Sequence, residues 1–218
     1  MAKYINGMIS GKVGDLVFSS KNGVNYVKRL SRKSVKGPSP MQVIQRTKFA
    51  IVMHFLSPLR SILNESYRKI NPKLSGLNIV VKQILTEAIT GEFPDLQIDF
   101  SKVCLIRGSL SRPCVEMAYV EKLNELHLSW QNIGTLNSYL NDELLALIYC
   151  PALTETWQEI QTGIMRFEQG GVIKLPVQFL GHDIHVWLAY RSSMMDSFSH
   201  SVYMGQVFTQ KTDRHENA

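Results

Sequence analysis

The chain has 218 residues, a hydrophobic fraction of 44% and a charged fraction of 19%, which suits one large or two small globular domains and excludes a wholly disordered chain. Its net charge of +6 is unevenly spread: residues 1–73 hold 14 Lys and Arg against 2 Asp and Glu (net +12), and the rest hold 10 against 16 (net −6). No stretch approaches the ~18 apolar residues of a membrane span, and Met1-Ala2-Lys3-Tyr4-Ile5-Asn6-Gly7 lacks the apolar core of a signal peptide, so a cytoplasmic location is expected.

The first predicted element is a β-hairpin. Leu16-Val17-Phe18 and Val24-Asn25-Tyr26-Val27 are β-rich, and Lys21-Asn22-Gly23 between them carries the Asn-Gly pair that accepts φ > 0. Gly7, Gly11 and Gly14 mark bends upstream. Residues 28–40 have no periodicity and read as a basic connector that ends in a helix start, with Ser39 as cap and Pro40 at the first helical position.

Three helices are predicted next. The first runs from Pro40 to Leu56, with Ile44, Ile51 and Phe55 on one side. Ser57-Pro58 repeats the cap-and-proline signature and starts the second, whose stripe is Leu59, Ile62, Leu63, Tyr67 and Ile70. The third spans Gly76 to Thr90, apolar at Leu77, Val80, Val81, Ile84, Leu85 and Ala88, with Gly91 as its C-terminal cap.

From Asp95 the apolar period changes from 3.6 to 2. Val115, Met117 and Tyr119 alternate with polar or small residues, as do Leu126, Leu128 and Trp130. Leu144 to Cys150 is continuously apolar, fitting a central strand. Ile184, Val186, Leu188 and Tyr190 alternate with Asp183, His185, Trp187 and Ala189, and Val202 to Phe208 closes the series. Trp130 and Tyr190 suit an aromatic core. The expected fold class is α+β: an N-terminal β-hairpin and three helices, then an antiparallel immunoglobulin/fibronectin-III-like β-sandwich. The expected division is 1–94, a basic hairpin plus helical region; 95–210, a β-sandwich domain; and 211–218, a polar, disordered tail.

Several motifs carry a family resemblance. Gly11-Lys12-Val13-Gly14 precedes Pro40-Met41-Gln42-Val43-Ile44-Gln45-Arg46-Thr47-Lys48-Phe49; Leu128-Ser129-Trp130, Gly181-His182-Asp183-Ile184-His185-Val186 and Ser199-His200-Ser201-Val202-Tyr203-Met204-Gly205 follow. On these the chain resembles a family of small uncharacterised proteins from Bacteroidota. Lys28 stands where that pattern often has Arg, and Ser39 where Thr is usual. The resemblance implies a fold and brings no established activity or catalytic residues.

Catalysis needs a nucleophile, a base or a metal within reach, and the sequence offers little of either. Gly7, Gly11 and Gly14 lack the Gly-Lys-Ser/Thr ending of a phosphate loop. His182 and His185, three apart, point to opposite faces if both lie in a strand and do not readily share a metal, although a His182 in the preceding turn is free in direction. His54 reads as a packing residue, and Asp142 with Glu143 as loop or strand-edge charges. Cys104, Cys114 and Cys150 are odd in number with no CxxC spacing, which argues for reduced core residues. No catalytic residue, metal site, cofactor or small-molecule substrate is therefore expected.

The basic segment is the candidate contact surface for a polyanion or a partner: Lys12, Lys21, Lys28, Arg29, Arg32, Lys33, Lys36, Arg46 and Lys48. Tyr26 and Phe18 offer aromatic faces for stacking, although hairpin aromatics more often pack a core. The leading reading is a non-enzymatic interaction or assembly protein, with a protein partner or self-association. A nucleic-acid-binding protein using residues 12–48 is the alternative, and a carbohydrate-active or hydrolytic enzyme comes third.

Overall fold

Two-residue turns organise the N-terminal strands. The computed structural model describes residues 3–5, 8–21, 23–31, 37–120, 124–131, 141–153, 157–192 and 194–209. Residues 1–42 form one compact unit and residues 43–218 a second. In the first, strands β1 (Lys3–Ile5), β2 (Met8–Val13), β3 (Leu16–Lys21) and β4 (Val24–Arg29) make an antiparallel sheet in chain order. Gly14, at φ +55°, opens the Gly14-Asp15 turn; Gly23, at φ +77°, precedes Val24, which pairs with Lys21, and Asn22 of the expected Asn-Gly turn lies outside the described residues. The expected hairpin is thus half of a four-stranded sheet. An isolated hairpin is marginal in water, and β2 supplies the extra pairing. Gly11, inside β2 at φ +122°, breaks the alternation that would have announced that strand.

Helix α1 (Pro40–Leu56) begins as predicted. Gln42 N–H donates to Ser39 Oγ (3.3 Å), and Ser39 N–H donates to Gln42 Oε1 (3.1 Å), a reciprocal capping box. Ser57-Pro58 does not start the second helix. It opens a 3₁₀ turn over Ser57–Leu59, and α2 runs Arg60–Tyr67. Ser75 caps α3 (Gly76–Gln83), which widens into a π turn over Ile84–Ala88. The helical run therefore stops before Thr90. Ile89–Thr90 is strand β5, paired with β6 (Gln97–Ile98), and Gly91, at φ +83°, serves the turn between them rather than a helix cap.

The remaining strands form two larger antiparallel sheets. One has the order β11 (Gly170–Lys174), β8 (Glu125–Trp130), β7 (Val115–Val120). The other runs β10 (Trp157–Met165), β9 (Glu143–Tyr149), β12 (Asp183–Ser192), with the short β13 (Ser197–Phe198) and β14 (Val202–Phe208) both on β12. The chain is thus a mixed α+β protein with a β-rich part.

Both faces of the five-stranded sheet are buried. Leu144, Ala146, Ile148, Ile184, Val186, Leu188 and Tyr190 share a core with Leu126, Leu128, Trp130 and Ile173 of the smaller sheet. Leu145, Leu147, Tyr149, Trp187 and Ala189, on the opposite face, pack with Val52, Phe55, Leu63, Tyr67, Val80 and Ile84 of the helical segment. Trp157 Nε1 donates to the Phe55 carbonyl (2.6 Å), and Trp187 Nε1 to that of Val103 (3.1 Å). Helices 43–88 and strands 115–208 therefore share one core, and the period change near Asp95 marks a change of element inside it. The helical layer also explains why β12 buries His185 and Trp187, on the face that alternation alone would give to solvent.

Candidate functional site

The register of the N-terminal sheet decides which cations meet. Lys12 pairs with Val17, and Val17 with Lys28, so the three form one cross-strand row and project from one face. Tyr26, two residues from Lys28, shares that face. Arg29, opposite Leu16, lies on the other face with Val27, which pairs with Phe18. Phe18 and Tyr26 therefore do not make the joint stacking surface that the sequence offered; adjacent register positions send them to opposite sides. Neither belongs to a core. Every residue of β4, an edge strand, is exposed, including Val24 (53%), Tyr26 (51%) and Val27 (57%).

Lys21 ends β3 opposite Val24, and its side chain lies outside the described residues, as do Arg32, Lys33 and Lys36. Arg46 and Lys48 are on α1, exposed and half-buried respectively. Two residues apart, they sit about 200° apart around the helix.

Other sequence assignments shift with burial. His54 is exposed, because α1 turns Val52, Phe55 and Leu56 inward. Cys150 is buried, Cys104 is half-buried and Cys114 is exposed; all three are free thiols, and only one is a core residue. Asp142, in the loop position just before β9, is a buried charge: it is 1% exposed and 3.6 Å from Arg166. His185 is buried, with Nδ1 2.8 Å from Tyr203 Oη and its ring 4.2 Å from Phe100, and burial lowers its pKa. Among the described residues, no group of three His, Cys, Asp or Glu side chains is placed to hold a metal.

A cationic cleft of about 620 Å³ in the second unit had no sequence signal. Lys102, Cys104, Arg107, Arg112, His200 and Ser201 line it. Two segments distant in sequence form its walls and are stitched together. Ser201 Oγ accepts from Leu105 N–H (3.0 Å) and Ile106 N–H (3.1 Å), and Ser201 N–H donates to the Ile106 carbonyl (2.8 Å). Leu110 bridges to Ser199, and Leu110 N–H donates to the Phe198 carbonyl (3.1 Å). Gly108 permits this approach, since a Cβ there would lie 1.8 Å from the Phe198 oxygen. Burial, and then the guanidinium groups of Arg112 and Arg107, lower the His200 pKa, opposed by a hydrogen bond to the Gly108 backbone. Arg107, Arg112 and His200 are scattered in sequence, so only the bridge between their segments unites them.

The described residues define a mixed α+β protein, with a four-stranded sheet in one unit and a helix-covered β-rich region in the other. The chain belongs to a family of unknown function (DUF6266), whose model matches residues 8–205. No curated protein matches it. Among solved structures, a computationally redesigned β-sandwich protein is similar over 50% of this chain and 99% of its own, at 9% identity and a TM-score of 0.33, too distant to carry an argument. No helix among the described residues is long and apolar enough to cross a membrane.

Proposed function

We propose that this protein is a non-enzymatic interaction or assembly protein, and that the basic N-terminal sheet is its contact surface. The observation that carries this reading is the edge strand Val24–Arg29, exposed along its whole length and carrying three large apolar side chains among its cations. An unpaired strand edge is a template for pairing with another chain, and exposed apolar groups rimmed by charge mark interaction sites. The net charge of −6 over residues 74–218 is opposite in sign to that of the basic segment, which suits association between copies.

The β region acts in this reading as an immunoglobulin/fibronectin-III-like scaffold. Strand order supports it: of β7 to β12 and β14, the first, second and fifth share one sheet and the third, fourth, sixth and seventh the other. Trp130 against Tyr190, 6.4 Å between ring centroids, supplies the aromatic core.

Sedimentation of the full chain at about 0.1 M and about 1 M salt, across which the Debye length falls from ~10 to ~3 Å, tests the proposal. The expected result is a complex larger than the monomer at low salt, dissociated by high salt and by the Lys12→Glu/Lys28→Glu pair. A strict monomer that captures no protein from a lysate overturns it. The shared face of Lys12, Lys28 and Tyr26 favours a second reading, nucleic-acid binding through phosphate contacts and stacking. Its measurement is fluorescence anisotropy of a labelled oligonucleotide at about 50 mM salt. Binding that falls steeply with salt and is lost in Lys12→Glu/Lys28→Glu supports it, and no binding rejects it.

A further inference from the structure

The cleft between residues 101–112 and 200–203 has a charge and a construction that its packing does not require. Lys102 Nζ is 2.9 Å from Asp99 Oδ2, so those charges cancel. Hydrogen bonds from Ser101 and then Lys102 hold the Asp99 carboxyl below its usual range, which keeps that pair ionised. Arg107 and Arg112 have no such partner. Among the described residues, the salt bridges involve other groups, and no carboxylate lies within 4 Å of either guanidinium. Two uncompensated cations therefore line one cavity.

Arg107 Nε is fully buried with no hydrogen-bond acceptor among the described residues, so an anion in the cleft meets the outer nitrogens of that guanidinium. Buried polar groups almost always find partners, and a cationic donor left without one costs more than a neutral one. Tyr67 Oη, also buried without a partner, lies within electrostatic reach of both Arg107 and Cys104. The walls are also rigid: the Ser201 hydrogen bonds and the close approach at Gly108 hold the two segments in place before any ligand arrives. Pre-organised donors of this kind lower the cost of binding.

We propose that this cleft binds a small molecule bearing a phosphate dianion, held by the Arg107 and Arg112 guanidinium groups with His200 beside them. The two unpaired charges match the ≈ −1.5 to −2 of a phosphomonoester at neutral pH. Guanidinium forks suit its oxygens. A volume of about 620 Å³ exceeds what the anion alone fills and lies in the range of small-molecule sites. This site is independent of the N-terminal sheet, whose cations are on other residues.

Calorimetric titration of the full chain with inorganic phosphate and with pyrophosphate, at constant ionic strength set by chloride, is the test, alongside NMR titration of the His200 ring. Saturable binding is expected, and the bound anion should raise the His200 pKa by offsetting the two guanidinium charges. Arg112→Gln, at an exposed position where folding is not at risk, should weaken binding about tenfold, the equivalent of one charge-assisted hydrogen bond. Arg107→Gln should do the same, whereas Lys12→Glu/Lys28→Glu should change nothing. The proposal fails if neither anion binds saturably, if Arg112→Gln binds as tightly as the parent, or if the Lys12→Glu/Lys28→Glu pair abolishes binding. It also fails if a single-stranded oligonucleotide binds while both small anions do not. None of these outcomes depends on the oligomeric state on which the interaction reading stands.

Discussion

Asp142 and Arg166 show how a single pair of charges is accommodated inside the β core. The Arg166 N–H donates to the Asp142 carbonyl (2.8 Å), Trp130 Nε1 donates to the Arg166 carbonyl (2.8 Å), Arg166 Nη2 donates to Ser111 Oγ (2.6 Å), and the guanidinium lies 4.6 Å from the Tyr190 ring centroid. Removing one member of a buried pair strands the other charge. Arg166→Ala is expected to cost about 3–5 kcal/mol in urea unfolding, with a smaller loss for Arg166→Lys, which keeps the charge but not the planar fork. His185 sets a pH dependence at the same scale. Burial depresses its folded pKa, so the neutral ring is the stable form. Its contribution is fully present above the unfolded value of about 6.5 and is lost as pH falls through the depressed folded value. Urea midpoints measured from pH 7.5 to 5 should therefore fall with acidification, and His185→Gln should flatten that slope. An unchanged slope would remove His185 as its cause.

At the scale of elements, the helical layer is held to the sheet through Phe55. Its ring meets Tyr149 edge-on at 5.0 Å and Trp157 at 5.1 Å, while its carbonyl accepts the Trp157 indole N–H. Phe55→Ala should cost about 3–5 kcal/mol and quench the near-ultraviolet dichroism of the tryptophans. α2 and α3 meet at Gly76, where a Cβ would lie 2.1 Å from the Leu63 carbonyl oxygen. Gly76→Ala must therefore separate the two helices and lower the unfolding midpoint, even though alanine is ordinarily the better helix former. Much of this level was legible beforehand. The capping box at Ser39, the Asn-Gly hairpin, and the alternations ending in Trp130 and running through Tyr190 all follow from local chemistry. Strands β10 and β11 carry no such local signal: β10 mixes Gln158, Glu159, Gln161 and Thr162 with a positive-φ Gly163, and β11 begins with two glycines.

For the whole molecule, both hydrophobic clusters are built from residue 52 onward. A chain starting at residue 38, which keeps the Ser39 cap, should unfold cooperatively with nearly the urea midpoint of the parent. It should also lose the salt-sensitive association assigned to the N-terminal sheet. A collapse in its midpoint would show that residues 1–37 contribute to the main fold. The phosphate response of the cleft should survive this truncation, which separates the two proposed sites in one experiment.

Charge balance, the hairpin turn, the capped helix starts and the change of apolar period depend on residues within a few positions of one another, and the sequence by itself determined them. Which faces of a strand are buried, and which cations meet, depend on pairing across the chain. Tertiary structure alone placed a helical layer over His185 and Trp187, sent Phe18 and Tyr26 to opposite faces, and took Asp142 into the core. It also brought Arg107 and Arg112 to His200. A register shift of one residue inverts a strand, and no local pattern records which segment lies across it.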